Sequence, residues 1–280
     1  MTAAEPLGAP APVAVLDSIT KLRPANRGAA VVAGSHGGVY CGWLAAECGV
    51  RVVVLNDAGV GLDDAGIACL APLDRIGMAA ATVDCFSARI GDGQDMVRRG
   101  RISHVNAMAA ALGCAAGEDL ASCLGLLRQA RMPIGSLSAI AESRLVLTEC
   151  IGANVRVVGL DSVSLIEEQD RRCIVVTGSH GGLLGGLWAS AVRQPCLAAV
   201  FNDAGGGADG AGYSRLPALD AMGIAGLTVA HTSARIGDAR STWATGVVSA
   251  VNDRARRTGA CPGMTLQSAV DCIAARTYFS

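Results

Sequence analysis

The sequence predicts an α/β protein made as a tandem duplication of one three-layer unit. Each copy is a parallel sheet between helices, and the two halves are expected to be related by a pseudo-two-fold axis. Two observations carry this expectation. Short valine-rich apolar runs alternate with helical stretches of ten or more residues, as they do in parallel sheets covered on both faces. Three motifs also occur twice in the same order. Gly34-Ser35-His36-Gly37-Gly38 recurs as Gly178-Ser179-His180-Gly181-Gly182, and Asn56-Asp57-Ala58-Gly59 recurs as Asn202-Asp203-Ala204-Gly205. Ser87-Ala88-Arg89-Ile90-Gly91-Asp92 recurs as Ser233-Ala234-Arg235-Ile236-Gly237-Asp238. From Asn56 to Asn106 the second copy lies 146 positions on without a gap, with 25 identities in 51 positions, far beyond coincidence.

Leu16-Asp17-Ser18 matches Leu160-Asp161-Ser162, so the copies span 13–130 and 155–276. Residues 131–154 read as a linker and the Ala/Pro-rich residues 1–12 as a flexible N-terminus. Within the first copy, Ala29–Ala33, Val50–Leu55 and Ala79–Cys85 read as buried strands that end in Gly, Asn or Asp clusters. Val39–Cys48 and Asp63–Ile76 have helical spacing, with Gly49 and Gly77 as stops. Asp95–Leu112 and Glu118–Gln129 read as two further helices. The unit is therefore of Rossmann or flavodoxin-like class, with about four strands per copy and right-handed crossovers.

Composition excludes several functions. Of 280 residues 51% are apolar and 17% charged, which suits a large core and leaves no case for disorder. A net charge of −1 without like-charge runs removes the footprint that nucleic acid or an anionic membrane would need. Lys21 is the only lysine, so no P-loop can be written. Eleven cysteines, none spaced C-x-x-C, read as buried hydrophobes in a reducing compartment, and a cytoplasmic location is expected. The start of the chain lacks the basic and apolar regions of a signal peptide. The uncharged run Cys173–Val192 is long enough to cross a membrane, but its central glycines read as strand, loop and helix. The high apolar fraction points to a homo-oligomer.

All three motifs fall at carboxyl ends of strands, where open α/β sheets bind ligands. The amides of Gly37, Gly38, Gly181 and Gly182 at helix starts suit an oxyanion, with Ser35 and Ser179 beside it. Alternatively the glycines only make tight turns and the serines cap helices. His36 and His180 are candidate acids, bases or ligands. Asp57 with Asp63, and Asp203 with Asp209, could orient a histidine or hold a divalent cation; equally, Asp63 and Asp209 could cap helices while Asp57 satisfies loop amides. Arg89 and Arg235 could grip a carboxylate, with Asn56, Asn202, Ser87 and Ser233 lining the same edge, or could pair locally with Asp92 and Asp238. His231 stands where the first copy has Cys85, so the two sites need not be chemically equivalent.

The apolar strand ending in His-Gly resembles, over about thirty residues, that of caspase-like cysteine peptidases. There the following strand ends in the nucleophilic cysteine; here it ends in Asn56-Asp57 without a thiol, and no activity is carried over. The residues themselves point to a small-molecule enzyme, a hydrolase or lyase acting on a small polar or anionic substrate such as a carboxylate or amide. His36, His180, Asp57, Asp203 and His231 would do the acid–base work, with no cofactor. A non-enzymatic ligand-binding or assembly protein with structural loops is the alternative. A metal-dependent hydrolase using His36, Asp57, Asp63, His180, Asp203 and Asp209 is a second.

Overall fold

A computed structural model describes residues 10–151 and 155–276. The first half is β1 (Val13–Leu16), β2 (Ala30–His36), α1 (Val39–Cys48), β3 (Val52–Asn56), α2 (Leu70–Arg75) and β4 (Ala79–Val83), then α3 (Gly93–Arg99), β5 (Ile102–Val105), α4 (Ala107–Ala111) and α5 (Leu120–Leu127). β1 to β4 are parallel and β5 is antiparallel at the edge, in the spatial order β1-β2-β3-β4-β5. The second half is β6 (Arg144–Ile151), β7 (Val155–Leu160), β8 (Cys173–His180), β9 (Ala198–Asn202), α6 (Arg215–Ala221) and β10 (Ala225–Val229), then α7 (Ala239–Thr245), β11 (Val248–Val251), α8 (Asp253–Arg257) and α9 (Leu266–Arg276). Its sheet runs β11-β10-β9-β8-β7-β6, with β6 and β11 antiparallel to their neighbours.

Strands buried on both faces explain the continuous apolar runs. Val31, Val53 and Leu55 point toward Ala45 of α1 and Leu73 of α2, while Val32, Val52 and Val54 point toward Met96, Leu120 and Leu127 on the opposite side. The three expected layers are thus present in the first half. The strand order differs from the expected class: consecutive strands lie side by side, without the reversal that makes a crevice in doubly wound sheets. The space for a ligand arises instead where the two halves meet.

Other expectations are corrected. The stretch 95–112 is not one helix: α3 stops at Gly100, whose amide closes on Met96, and Ile102–Val105 pairs with β4 before α4 begins. The stretch 63–76 is broken as well, because Asp63 and Asp64 have φ of +55° and +56°, and α2 starts only at Leu70. Part of the expected linker is β6, paired along β7. Residues 1–9 of the expected flexible N-terminus lie outside the described residues; Ala11 is buried, with its amide on the Arg128 carbonyl. The apolar run from Cys173 is β8 followed by 3₁₀ turns, and no helix among the described residues is long and apolar enough to cross a membrane.

The halves meet through contacts that reciprocate at the repeat offset. The Leu62 amide donates to the His231 carbonyl (2.8 Å) and the Ala208 amide to the Cys85 carbonyl (2.7 Å). Ala58, Ala65 and Ile90 pack against Ala204, Ala211 and Ile236. Gly59 and Gly205 touch backbone to backbone: a Cβ on Gly205 would lie 2.9 Å from Cys85 Sγ and 3.1 Å from Gly59 Cα, at a φ of +78°. Gly205→Ala is therefore expected to cost about 2–4 kcal/mol, combining left-handed backbone strain with overpacking. Urea unfolding measures this, and an unchanged midpoint would show that the loop contact does not hold the halves together.

Candidate functional site

The three motifs do sit at the carboxyl ends of strands, with His36 ending β2, Asn56 ending β3 and Ser87–Asp92 following β4. Most of their polar atoms are already occupied by the protein. Asn56 Oδ1 accepts from the Ala58 amide and its Nδ2 donates to the Ala88 carbonyl, and Asn202 does the same with Ala204 and Ala234. Ser87 and Ser233 donate to the carbonyls of Asp84 and Ala230 and accept from the amides of Arg101 and Val247. These four residues tie strand ends to loops and leave little to offer a substrate.

The glycine-loop amides, expected to cradle an oxyanion, likewise have partners within the protein. Gly37 and Gly181 donate to the carbonyls of Asn56 and Asn202, while Gly38 and Gly182 donate to Nδ1 of His36 and His180 at 3.1 and 3.2 Å. Accepting at Nδ1 fixes the neutral tautomer with the proton on Nε2, so both rings present an N–H donor rather than a basic nitrogen. His36 Nε2 faces the Cys41 sulfur at 3.8 Å. Burial lowers His36 to a pKa of about 4; His180 is lowered by burial first, then by the charges of Arg215 and His36. Ser35 and Ser179 accept from the amides of Ile19 and Val163, each at 2.9 Å, which braces the segments after β1 and β7.

Arg89 and Arg235 are neither free anion receptors nor chiefly local pairs. Arg89 Nε reaches Asp209 at 2.9 Å and Arg235 Nε reaches Asp63 at 2.6 Å, both across the halves, whereas the local contacts to Asp92 and Asp238 are 4.0 and 3.7 Å. Asp63 and Asp209 are therefore cross-half anchors and not helix caps. Asp57 Oδ1 takes the amides of Gly59 and Cys85. Asp203 Oδ1 takes those of Gly205 and His231, and also His231 Nδ1 at 2.9 Å. Burial works against ionisation of Asp203, but the His231 ring and amide and Ser249 outweigh it and hold the carboxyl below its usual range. The metal set expected from His36, Asp57 and Asp63 does not converge. Among the described residues the trio within mutual reach is Asp57, Asp84 and Cys85, where burial, Asp57 and Asp84 push the thiol pKa far up.

A cavity of about 510 Å³ lies between the halves. His36, His180, Ser35, Ser179 and Arg235 reach it, as does the first turn of α1 through Val39, Tyr40 and Cys41. The amides of that turn have no intrahelical acceptor. Asp57, Asp203 and His231 lie outside it, at the Asn-Asp-Ala-Gly loops, so the expected catalytic set separates into two groups. Two residues that sequence reasoning missed complete the wall. Arg215 is only 2% exposed; Nη1 donates to the carbonyls of Ser190 and Ala191, the guanidinium lies 5.0 Å over the Phe201 ring, and Nε has no partner. Its partners are those carbonyls and the Phe201 ring, no carboxylate pairs with it among the described residues, and burial lowers it only to about 10, so it stays charged at neutral pH. Glu142, from the segment before β6, receives hydrogen bonds from Ser162 and Tyr40; burial raises its pKa and Asp161 adds to the rise.

One signal for Arg215 was in the sequence. At the 146-residue offset it faces Cys69, and both amides make the same bond, to the carbonyls of Gly181 and Gly37. Larger than a thiol, Arg215 fills the place where α1 packs on α2 in the first half. The aligned segment 183–192 forms two 3₁₀ turns, Leu184–Gly186 and Trp188–Ser190, instead of a helix.

The buried histidines carry a pH signature. Their folded pKa values lie below the unfolded 6.5, so the unfolded chain binds more protons and stability falls as pH drops from about 6.5 toward 4. Each contributes a slope of up to about 1.4 kcal/mol per pH unit in that window. His36→Asn keeps an acceptor for the Gly38 amide and should flatten the slope between pH 6 and 4.5 in urea unfolding; an unaltered slope would refute the neutral buried ring. Comparison with family models, curated proteins and solved structures finds no match for the chain.

Proposed function

We propose that the chain is a small-molecule enzyme, a hydrolase or lyase, whose substrate carries a carboxylate or a comparable oxyanion in the cavity between the halves. The observation that carries this reading is Arg215, a buried cation lining the cavity without an anionic partner. Holding an uncompensated charge away from water costs several kcal/mol, and a bound anion offsets that cost. The Nε2–H groups of His36 and His180 act as neutral electrophiles that polarise a carbonyl oxygen, a role suited to imidazoles whose burial keeps them unprotonated. The two halves are copies from a tandem duplication related by a pseudo-two-fold axis. The paired Leu62–His231 and Ala208–Cys85 bonds and the crossed Arg89–Asp209 and Arg235–Asp63 bridges support that reading.

A binding protein without chemistry is the second reading. It is favoured by the occupied Nδ1 atoms, which leave neither cavity histidine a free basic nitrogen. Both readings share the anion site, so it is tested first. Thermal-shift and calorimetric titration with a panel of small carboxylates and amides should give ligands whose affinity drops at least tenfold in Arg215→Gln. NMR of the same mixtures then separates turnover from binding. An absence of carboxylate binding, or binding that survives Arg215→Gln in a folded variant, would overturn the anion site.

A further inference from the structure

The cavity is electrostatically bipolar. One part of its wall carries the Arg215 charge, close enough to His180 to depress that ring's proton affinity. The wall also carries Glu142 and Asp161, and the Asp161 carboxylate adds to burial in strengthening Glu142's hold on its proton. Neither carboxyl has a cationic partner among the described residues: Asp161 accepts from the amides of Ser143 (2.7 Å) and Ala239 (3.0 Å), and Glu142 has only the hydroxyls of Ser162 and Tyr40 beside it to favour its charged form. Beside the paired Arg235 and Asp63 and the exposed Arg193, the chamber wall thus holds a buried cation, Arg215, without an anionic partner and two acids, Glu142 and Asp161, without a cationic one.

We propose that the ligand is a zwitterion, a small amino acid or amino-carboxylate, whose carboxylate lies on Arg215 and whose ammonium lies between Glu142 and Asp161. The inference rests on the anion site proposed above and adds the second pole. It follows from complementarity, because like or unpaired buried charges are costly and a ligand with both charges at matching ends relieves both poles at once. The cavity volume of about 510 Å³ accommodates such a molecule with several methylenes between its charges. An ammonium that settles beside Glu142 also lowers the carboxyl's hold on its proton, so binding in mildly acidic solution releases a proton to the buffer.

The test uses the full chain and a series of ω-amino acids from glycine to 6-aminohexanoate, each beside the unsubstituted acid of the same length, by calorimetric titration. One member of the amino series should bind at least tenfold more tightly than its matched acid. Arg215→Gln should weaken both ligands, whereas Glu142→Gln should bring the amino acid to the level of the plain acid and leave the plain acid unchanged. Circular dichroism melts of both variants confirm folding, and heats in buffers of different ionisation enthalpy read the released proton. If the plain acids bind through Arg215 as tightly as the amino acids, the zwitterion inference fails and the anion site stands. If nothing in either series binds in an Arg215-dependent way, both fail.

Discussion

Parallel strands that stop inside a protein leave amides and carbonyls that only adjacent loops can satisfy, and here two sheets end against each other. That constraint governs the structure. Asn56 and Asn202, both fully buried, hold the chain after β3 and β9 to the turns after β4 and β10. Asp57 and Asp203 gather loop amides, and the glycine-loop N–H groups close on strand-end carbonyls and on histidine nitrogens. Only because these loops are saturated can Gly59 and Gly205 meet at backbone contact and the two edges enclose a chamber.

This explains which parts of the molecule were legible in the sequence. Continuous apolar runs located the central strands, and the glycine stops located α1 to the residue. The motifs were rightly placed at carboxyl ends of strands because Gly, Asn and Asp mark where ladder pairing stops. The strand order was not legible: helix-strand alternation is the same whether or not the order reverses, and only tertiary packing decides it. β5 was hidden because Ile102, Val105 and Ala109 fall at helical i, i+3, i+7 spacing, and β6 because Leu145-Val146-Leu147 follows Pro133, Gly135 and several serines in a stretch that reads as linker.

The candidate site was legible only in part, for a physical reason. The motif residues that recur in both halves chiefly saturate loops and form the interface common to them. Asn56, Ser87, Arg89, Asp57 and their counterparts do so. His36 and His180 are exceptions, since they serve the loop at Nδ1 and the chamber at Nε2. Of the chamber groups without an ion-pair partner, Arg215 stands opposite Cys69 and Glu142 lies between the aligned segments, while Asp161 recurs as Asp17.

The exchange of Cys69 for Arg215 has a consequence that belongs to symmetry. In an assembly of two identical halves every residue bordering a shared chamber would appear twice, so a cation on one wall would face the same cation on the other. Covalent continuity lifts that restriction. Each wall can differ from the other: one has a thiol packed on a helix, the other two tight turns and a guanidinium. A direction is thereby imposed on a chamber whose frame is nearly indifferent to it, and its two ends become chemically distinguishable.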